Sequence, residues 1–174
     1  MKTIKRIHFP LQFSGKRSSD MIKQFADANG EFEEIHLIMR CSGGASDDAI
    51  ELVELIEKSK SKVIAVADDR CDSAASIVFL SCHQRIITSE TTMVIHPQKV
   101  YLDYEEYNKF LEWAKFFKDV RKEYIKIYRK RTLLSKKRIE KLCTCEEYCF
   151  NADEMIRFGM ADKMIQPIFS DWGE

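Results

Sequence analysis

The chain has 174 residues, of which 45% are hydrophobic, and this size and composition suit one compact domain with a substantial core. We therefore predict a single domain over residues 1–174. Lysine and arginine together number 28, as do aspartate and glutamate, so the formal net charge is zero. This balance gives no support for nucleic acid or an anionic membrane as a partner.

The cysteines bear on the compartment and on metal binding. The chain shows no apolar signal region at its N-terminus and no apolar run of membrane-spanning length, so we expect a cytoplasmic protein with reduced thiols. Cys143, Cys145 and Cys149 lie close in sequence, but their spacing matches no standard zinc pattern and no histidine is near. We predict no metal site and no cofactor.

Strand-length apolar runs alternate with helical patterns through the first hundred residues, which is typical of βα units. This order predicts an α/β domain with helices on a largely parallel sheet. Strands are predicted at residues 4–13 (interrupted by Pro10), 35–39, 63–67, 85–88 and 92–96, and helices at 18–29, from the Ser46-Asp47-Asp48 cap onward, and at 74–82.

A long helix is predicted from Asp103 to about Arg131, because this segment contains neither glycine nor proline. Its apolar residues form one stripe at steps of three and four, with a second stripe beside it. One stripe could pack on the parent sheet while the second needs another partner, or both could form one wide core-facing surface. The first stripe is Phe110, Trp113, Phe117, Val120, Tyr124 and Ile127, and the second is Tyr107, Leu111 and Ala114.

Three features in chain order supply the parts of a serine hydrolase. The Gly43-Gly44 pair can form an oxyanion-binding turn, because no side chain obstructs the approach of backbone donors. Ser76 follows two alanines at the head of an apolar run, and His96 ends a predicted strand. Ser73 is interpreted as a helix-capping hydroxyl, because Ser76 alone follows Ala-Ala.

Together these motifs resemble the proteolytic subunit of the Clp protease. The likeness runs from about Ile7 to Ile165. It also includes two later segments, Phe-Asn-Ala-Asp-Glu at residues 150–154 and Phe-Gly-Met-Ala-Asp at residues 158–162. The resemblance implies the Clp protease/crotonase-like fold of repeated β-β-α units, with a long protruding handle helix at about residues 103–131.

The resemblance also implies site roles. Ser76 matches the nucleophile and His96 the general base, while Gly43, Gly44 and the N–H of Ile77 match the oxyanion hole. Counting back from Ala152-Asp153-Glu154 places Glu147 at the position of the triad acid. Glu146 is the alternative acid if the loop shifts by one residue.

The function implied is that of a serine endopeptidase that cleaves short or unfolded peptides inside an oligomeric chamber formed by a ring or stacked rings. One alternative is a catalytically weak scaffold that assembles with active paralogues. Another is a crotonase-type acyl-CoA enzyme, against which the pairing of Ser76 with His96 argues. A Clp ATPase partner is doubtful, because the chain begins almost directly at its first predicted strand.

Overall fold

The computed structural model describes residues 3–99 and 107–166. Helices and strands alternate in this part of the chain, as the apolar pattern predicts. The elements are β1 (Ile4–His8), α1 (Gly15–Ala28), β2 (Glu34–Cys41), α2 (Ser46–Glu57), β3 (Lys62–Cys71), α3 (Ala74–Ser81), β4 (Gln84–Thr88), β5 (Met93–Ile95), α4 (Tyr107–Arg131), α5 (Lys136–Leu142), β6 (Tyr148–Phe150), α6 (Ala152–Arg157) and β7 (Lys163–Ile165).

The sheet is parallel, as expected. Its five strands lie in the order β1-β2-β3-β4-β7, and each neighbouring pair is parallel. β5 and β6 form a separate antiparallel pair. The first strand is shorter than predicted and ends at His8, two residues before Pro10, which has no N–H to donate to a ladder. The α/β fold class is confirmed.

The core lies between the sheet and the helices, and α3 is its most enclosed element. All eight residues of α3 are buried, and the helix packs against α2 and α4. Fully buried side chains such as Leu52, Ile56 and Phe79 each contribute roughly 1.5–3 kcal/mol by leaving water. The residues just before α3 therefore rest on a rigid support.

The long helix is also confirmed, as α4, although residues 103–106 of the prediction lie outside the described residues. The first stripe divides along its length. Val120, Tyr124 and Ile127 are buried against the domain, whereas Phe110 remains 49% exposed and Trp113 40% exposed. The buried half of α4 attaches the helix to the core, and the other half presents aromatic side chains to solvent. No helix in the described ranges is long and apolar enough to cross a bilayer.

Candidate active site

The Gly43-Gly44 turn follows β2 and lies against two other segments. Both glycines have positive φ, at 93° and 128°. A Cβ on Gly43 would stand 2.7 Å from the Cβ of Ser73, and one on Gly44 would stand 2.2 Å from the carbonyl oxygen of Phe13. Glycine is therefore required at both positions, and its absence of a side chain lets the turn contact the segment that carries Ser73.

Ser73 occupies the tight turn between β3 and α3. Its backbone angles are φ 52° and ψ −121°, and no other non-glycine residue in the described ranges has a positive φ. Such angles cost about 1–3 kcal/mol and persist only where the surroundings impose them. In α/β-hydrolases, a strained strand-to-helix turn of this kind presents a nucleophilic side chain outward. Ser73 is partly exposed and lines a large cleft.

Ser76 lies three residues further on, inside α3, and its side chain enters the core. It is fully buried, and its hydroxyl donates to the Ser73 carbonyl at 2.6 Å and lies 2.7 Å from the Tyr128 hydroxyl. It does not line the cleft. The structure therefore does not bring Ser76 to His96, because the phase of α3 directs this side chain into the core. This geometry disagrees with the sequence prediction that Ser76 is the nucleophile.

The predicted oxyanion donors also lie in different surroundings. Gly44 lines the cleft beside Ser73, whereas Ile77 is the fourth residue of α3 and is fully buried. Ala74, the first residue of that helix, directly follows Ser73. Within the described ranges, the N–H groups of Gly44 and Ala74 donate to no protein acceptor. Two backbone donors thus flank Ser73.

His96 directly follows β5 and lines the same cleft as Ser73. The two are linked through Val94, whose carbonyl accepts the N–H of Ser73 at 2.7 Å and whose N–H donates to Oδ1 of Asp72 at 2.8 Å. The imidazole Nδ1 lies 2.6 Å from the carbonyl oxygen of Pro97. The turn that bears Ser73 is therefore fixed to the strand that positions the imidazole.

The two candidate acids face different surroundings. Glu147 forms an ion pair with Lys99 at 2.8 Å, and this contact, with a smaller effect of His96, lowers the pKa of the Glu147 carboxyl. Glu146 instead contacts Arg138 and lies 3.0 Å from Nζ of Lys141, both of which belong to α5. Of the two carboxylates, Glu147 is thus the one whose pKa His96 affects, and its role as the acid stays a prediction.

The cleft measures about 760 Å³ and has an aromatic wall. Trp113 stacks on Phe117 with their ring centroids 5.8 Å apart, and Phe116 meets both rings edge-on. The exposed half of α4 supplies all three. Charged residues at the cleft are Asp47, Lys99, Lys109 and Glu112. The cleft therefore combines an apolar wall with charged side chains.

Two cysteines lie beside the site but are poor nucleophiles. Cys41 precedes the glycine turn and Cys71 precedes Asp72, and both are buried. Burial raises the pKa of each thiol above its ordinary value. Both therefore stay protonated at neutral pH, and the thiolate is the reactive form.

No group of three or more histidine, cysteine, aspartate or glutamate side chains that could hold a metal ion occurs in the described ranges.

Comparison with known proteins agrees with this architecture. A family model described as Clp protease matches residues 4–167. The chain belongs to the Clp protease family. Among solved structures, an asparagine-to-aspartate mutant of ClpP1 from Listeria monocytogenes superposes with a TM-score of 0.80 at 16% identity, covering 93% of this chain and 91% of that one. No curated protein matches by sequence. The predicted family and the predicted fold are confirmed.

For this Clp protease family member, the sequence interpretation did not select Ser73 or Ala74 as candidate site residues, although the structure places both beside the cleft. One signal could have found them. A strained nucleophile turn joins a strand to a helix, so the candidate hydroxyl lies where the strand pattern ends, and not one turn inside the following apolar run. Ser73 meets that condition, and Ser76 does not.

Proposed function

We propose that the chain is a serine endopeptidase in which Ser73 is the nucleophile, in place of Ser76. The observation that carries this proposal is the strained turn at Ser73, which opens on the cleft that His96 also lines. A positive φ strains the backbone of a serine, because its Cβ restricts φ and ψ more than in glycine. We explain this strain by the need to present the hydroxyl to the cleft.

The chemistry follows from these positions. His96 takes the proton of the Ser73 hydroxyl while Oγ bonds to the peptide carbonyl carbon, and the carbonyl electrons move onto its oxygen. The N–H groups of Gly44 and Ala74 stabilise this oxyanion. When the carbon–nitrogen bond breaks, His96 returns the proton to the leaving amine. Water then loses a proton to His96 as its oxygen bonds to the acyl carbon. The bond from that carbon to Oγ of Ser73 breaks, His96 returns the proton to Oγ, and the free acid leaves.

Glu147 serves in this proposal as the acid that orients the imidazole and balances its charge when protonated. Lys99 holds the Glu147 carboxylate in the described state, so the lysine must release it before Glu147 can act. Glu146 is already engaged by Arg138 and Lys141, which makes it the weaker candidate.

The substrates we propose are short or unfolded peptides with a large apolar side chain, which the wall of Trp113, Phe116 and Phe117 would bind.

We also propose that identical copies form rings, because the exposed half of α4 carries more large apolar side chains than an isolated protein usually presents in one area. All six cysteines are free, which is consistent with a reducing, cytoplasmic setting.

One observation favours the alternative of a catalytically weak scaffold. The ion pair between Lys99 and Glu147 occupies the candidate acid. If the lysine stays bound in the assembled particle, the imidazole has no carboxylate to orient it, and activity would be low.

Labelling with a fluorophosphonate, followed by mass spectrometry that locates the modified residue, tests the proposal. We expect the label on Ser73, and its complete loss in Ser73→Ala. Ser89→Ala, which removes an exposed serine hydroxyl outside the cleft, is the control and should label like the unmodified protein. A label on Ser76 would restore the sequence prediction, and no label on the assembled protein would favour the scaffold.

A further inference from the structure

The buried hydroxyl pair of Ser76 and Tyr128 defines a directed chain of hydrogen bonds. The Ser76 hydroxyl has one hydrogen, and the Ser73 carbonyl, 2.6 Å away, can only accept it. The Tyr128 hydroxyl, 2.7 Å from Oγ of Ser76, must therefore be the donor in that contact. Hydrogen bonds thus run from Tyr128 to Ser76 and on to the backbone carbonyl of Ser73.

That carbonyl belongs to the peptide unit that joins Ser73 to Ala74. A trans peptide is planar, and its C=O and N–H point in opposite directions. The hydroxyl and the backbone N–H of Ser76 both bond to this carbonyl, at 2.6 and 3.0 Å. Because they hold the carbonyl toward the core, they also fix the direction of the Ala74 N–H, which points away from the core. The N–H so directed is one of the two proposed oxyanion donors.

The hydroxyl groups of Ser76 and Tyr128 are both shielded from solvent. Ser76 is fully buried and Tyr128 is 2% exposed, so water does not compete for these contacts. Burial also raises the pKa of the Tyr128 hydroxyl well above its ordinary value, which keeps its proton available as a donor. A second contact of α4 is similar: the Tyr124 hydroxyl donates to Oγ of Ser46, two residues beyond Gly44. The same helix therefore supports both donor segments.

We propose that Ser76 and Tyr128 are positioning residues that hold the peptide unit between Ser73 and Ala74 in the orientation needed for oxyanion binding. This inference rests on the proposed nucleophile Ser73. Their effect is on the transition state, because the oxyanion forms only there, so their loss should lower kcat and leave KM unchanged.

Steady-state kinetics on a peptide substrate, corrected for the folded fraction, provides the test. Tyr128→Phe removes one oxygen and keeps the ring, and we expect kcat to fall roughly tenfold with KM unchanged. Tyr107→Phe makes the same change at an exposed tyrosine of α4 outside the cleft and should leave both constants as they are. Ser76→Thr and Ser76→Val add the same volume, but only threonine keeps the hydroxyl, so kcat should be higher in the threonine variant.

A double variant separates positioning from a general loss of stability. Tyr128 acts on Ser73 only through Ser76, so Ser76→Val combined with Tyr128→Phe should lower kcat no further than Ser76→Val alone. A kcat of Tyr128→Phe within twofold of the unmodified protein would overturn the positioning role, even if Ser76→Thr and Ser76→Val both fail to fold. Fluorophosphonate labelling of Ser73→Ala would instead overturn the nucleophile itself, and the positioning role with it.

Discussion

His96 and Glu147 flank the last residue pair of the ladder between β5 and β6. Ile95 pairs with Tyr148, His96 follows Ile95, and Glu147 precedes Tyr148. The two residues are thus neighbours across the end of an antiparallel pair, where side chains on the same face approach each other closely. This relationship supports the proposal that Glu147 is the acid.

Replacement of each glutamate with glutamine tests that assignment. Glu147→Gln should lower kcat by roughly 100-fold or more, because the imidazolium of His96 loses its balancing charge. Glu146→Gln is the matched control, and its effect should be small, since Glu146 is held by Arg138 and Lys141. The measurement is peptide hydrolysis under saturating substrate. The reverse order would shift the acid by one residue, and two small effects would indicate a serine–histidine dyad.

The glycine turn should tolerate no side chain at Gly44. Gly44→Ala would place a Cβ 2.2 Å from the Phe13 carbonyl oxygen, so we expect a loss of more than about 3 kcal/mol in the free energy of unfolding. Gly15→Ala is the control, because Gly15 also has a positive φ of 48° but nothing within 4 Å. It should cost only about 1 kcal/mol. Urea unfolding measures both, and equal losses would contradict the tight contact.

The aromatic wall of the cleft predicts substrate preference. Trp113→Ala should lower kcat/KM roughly tenfold for peptides with a large apolar side chain at the cleavage site, and much less for peptides with alanine there. Leu111→Ala, on the same helix but outside the cleft, should change neither. Competition between the two peptides in one reaction gives the ratio directly. An unchanged ratio in Trp113→Ala would mean that the wall does not bind substrate.

The exposed half of α4 predicts association. Phe110→Glu should split a ring assembly, because it places a charge among the large apolar side chains that would be covered. Leu133→Glu changes an even more exposed leucine outside α4 and should leave the assembly intact. Analytical ultracentrifugation distinguishes these outcomes. An unmodified protein that sediments as an active monomer near 20.4 kDa would refute the ring.

The contact between Asp162 and Arg85 predicts a pH effect on stability. Burial raises the pKa of Asp162, but bonds from the Arg85 side chain and N–H lower it more, so the net pKa lies below its ordinary value. A depressed pKa contributes stability above the unfolded pKa and loses it as the pH falls through the folded one. The free energy of unfolding should therefore decline below about pH 4, and Asp162→Asn should weaken that decline. Urea titrations at pH 3 and pH 7 measure the free energy of unfolding. If it falls by the same amount between pH 7 and pH 3 in both proteins, the linkage is contradicted.

Much of the fold followed from local pattern. The spacing of apolar residues and the capping residues predicted the alternating strands and helices, because both signals depend on only a few neighbouring residues. The long helix followed from the same reasoning, since nothing between Tyr107 and Arg131 interrupts it. Sequence alone did not reveal that its aromatic stripe is half buried and half exposed. That division depends on where the body of the domain ends.

The site divides along the same line. The sequence selected the glycine turn, His96 and Glu147 as candidates, because each depends on chain order or on counting along one strand, and their catalytic roles stay predictions. The choice between Ser73 and Ser76 could not be made in this way, because both are small hydroxyl residues three positions apart. Only the tertiary structure decides which one faces the cleft, since the packing of α3 between α2 and α4 sets the rotation of that helix about its axis.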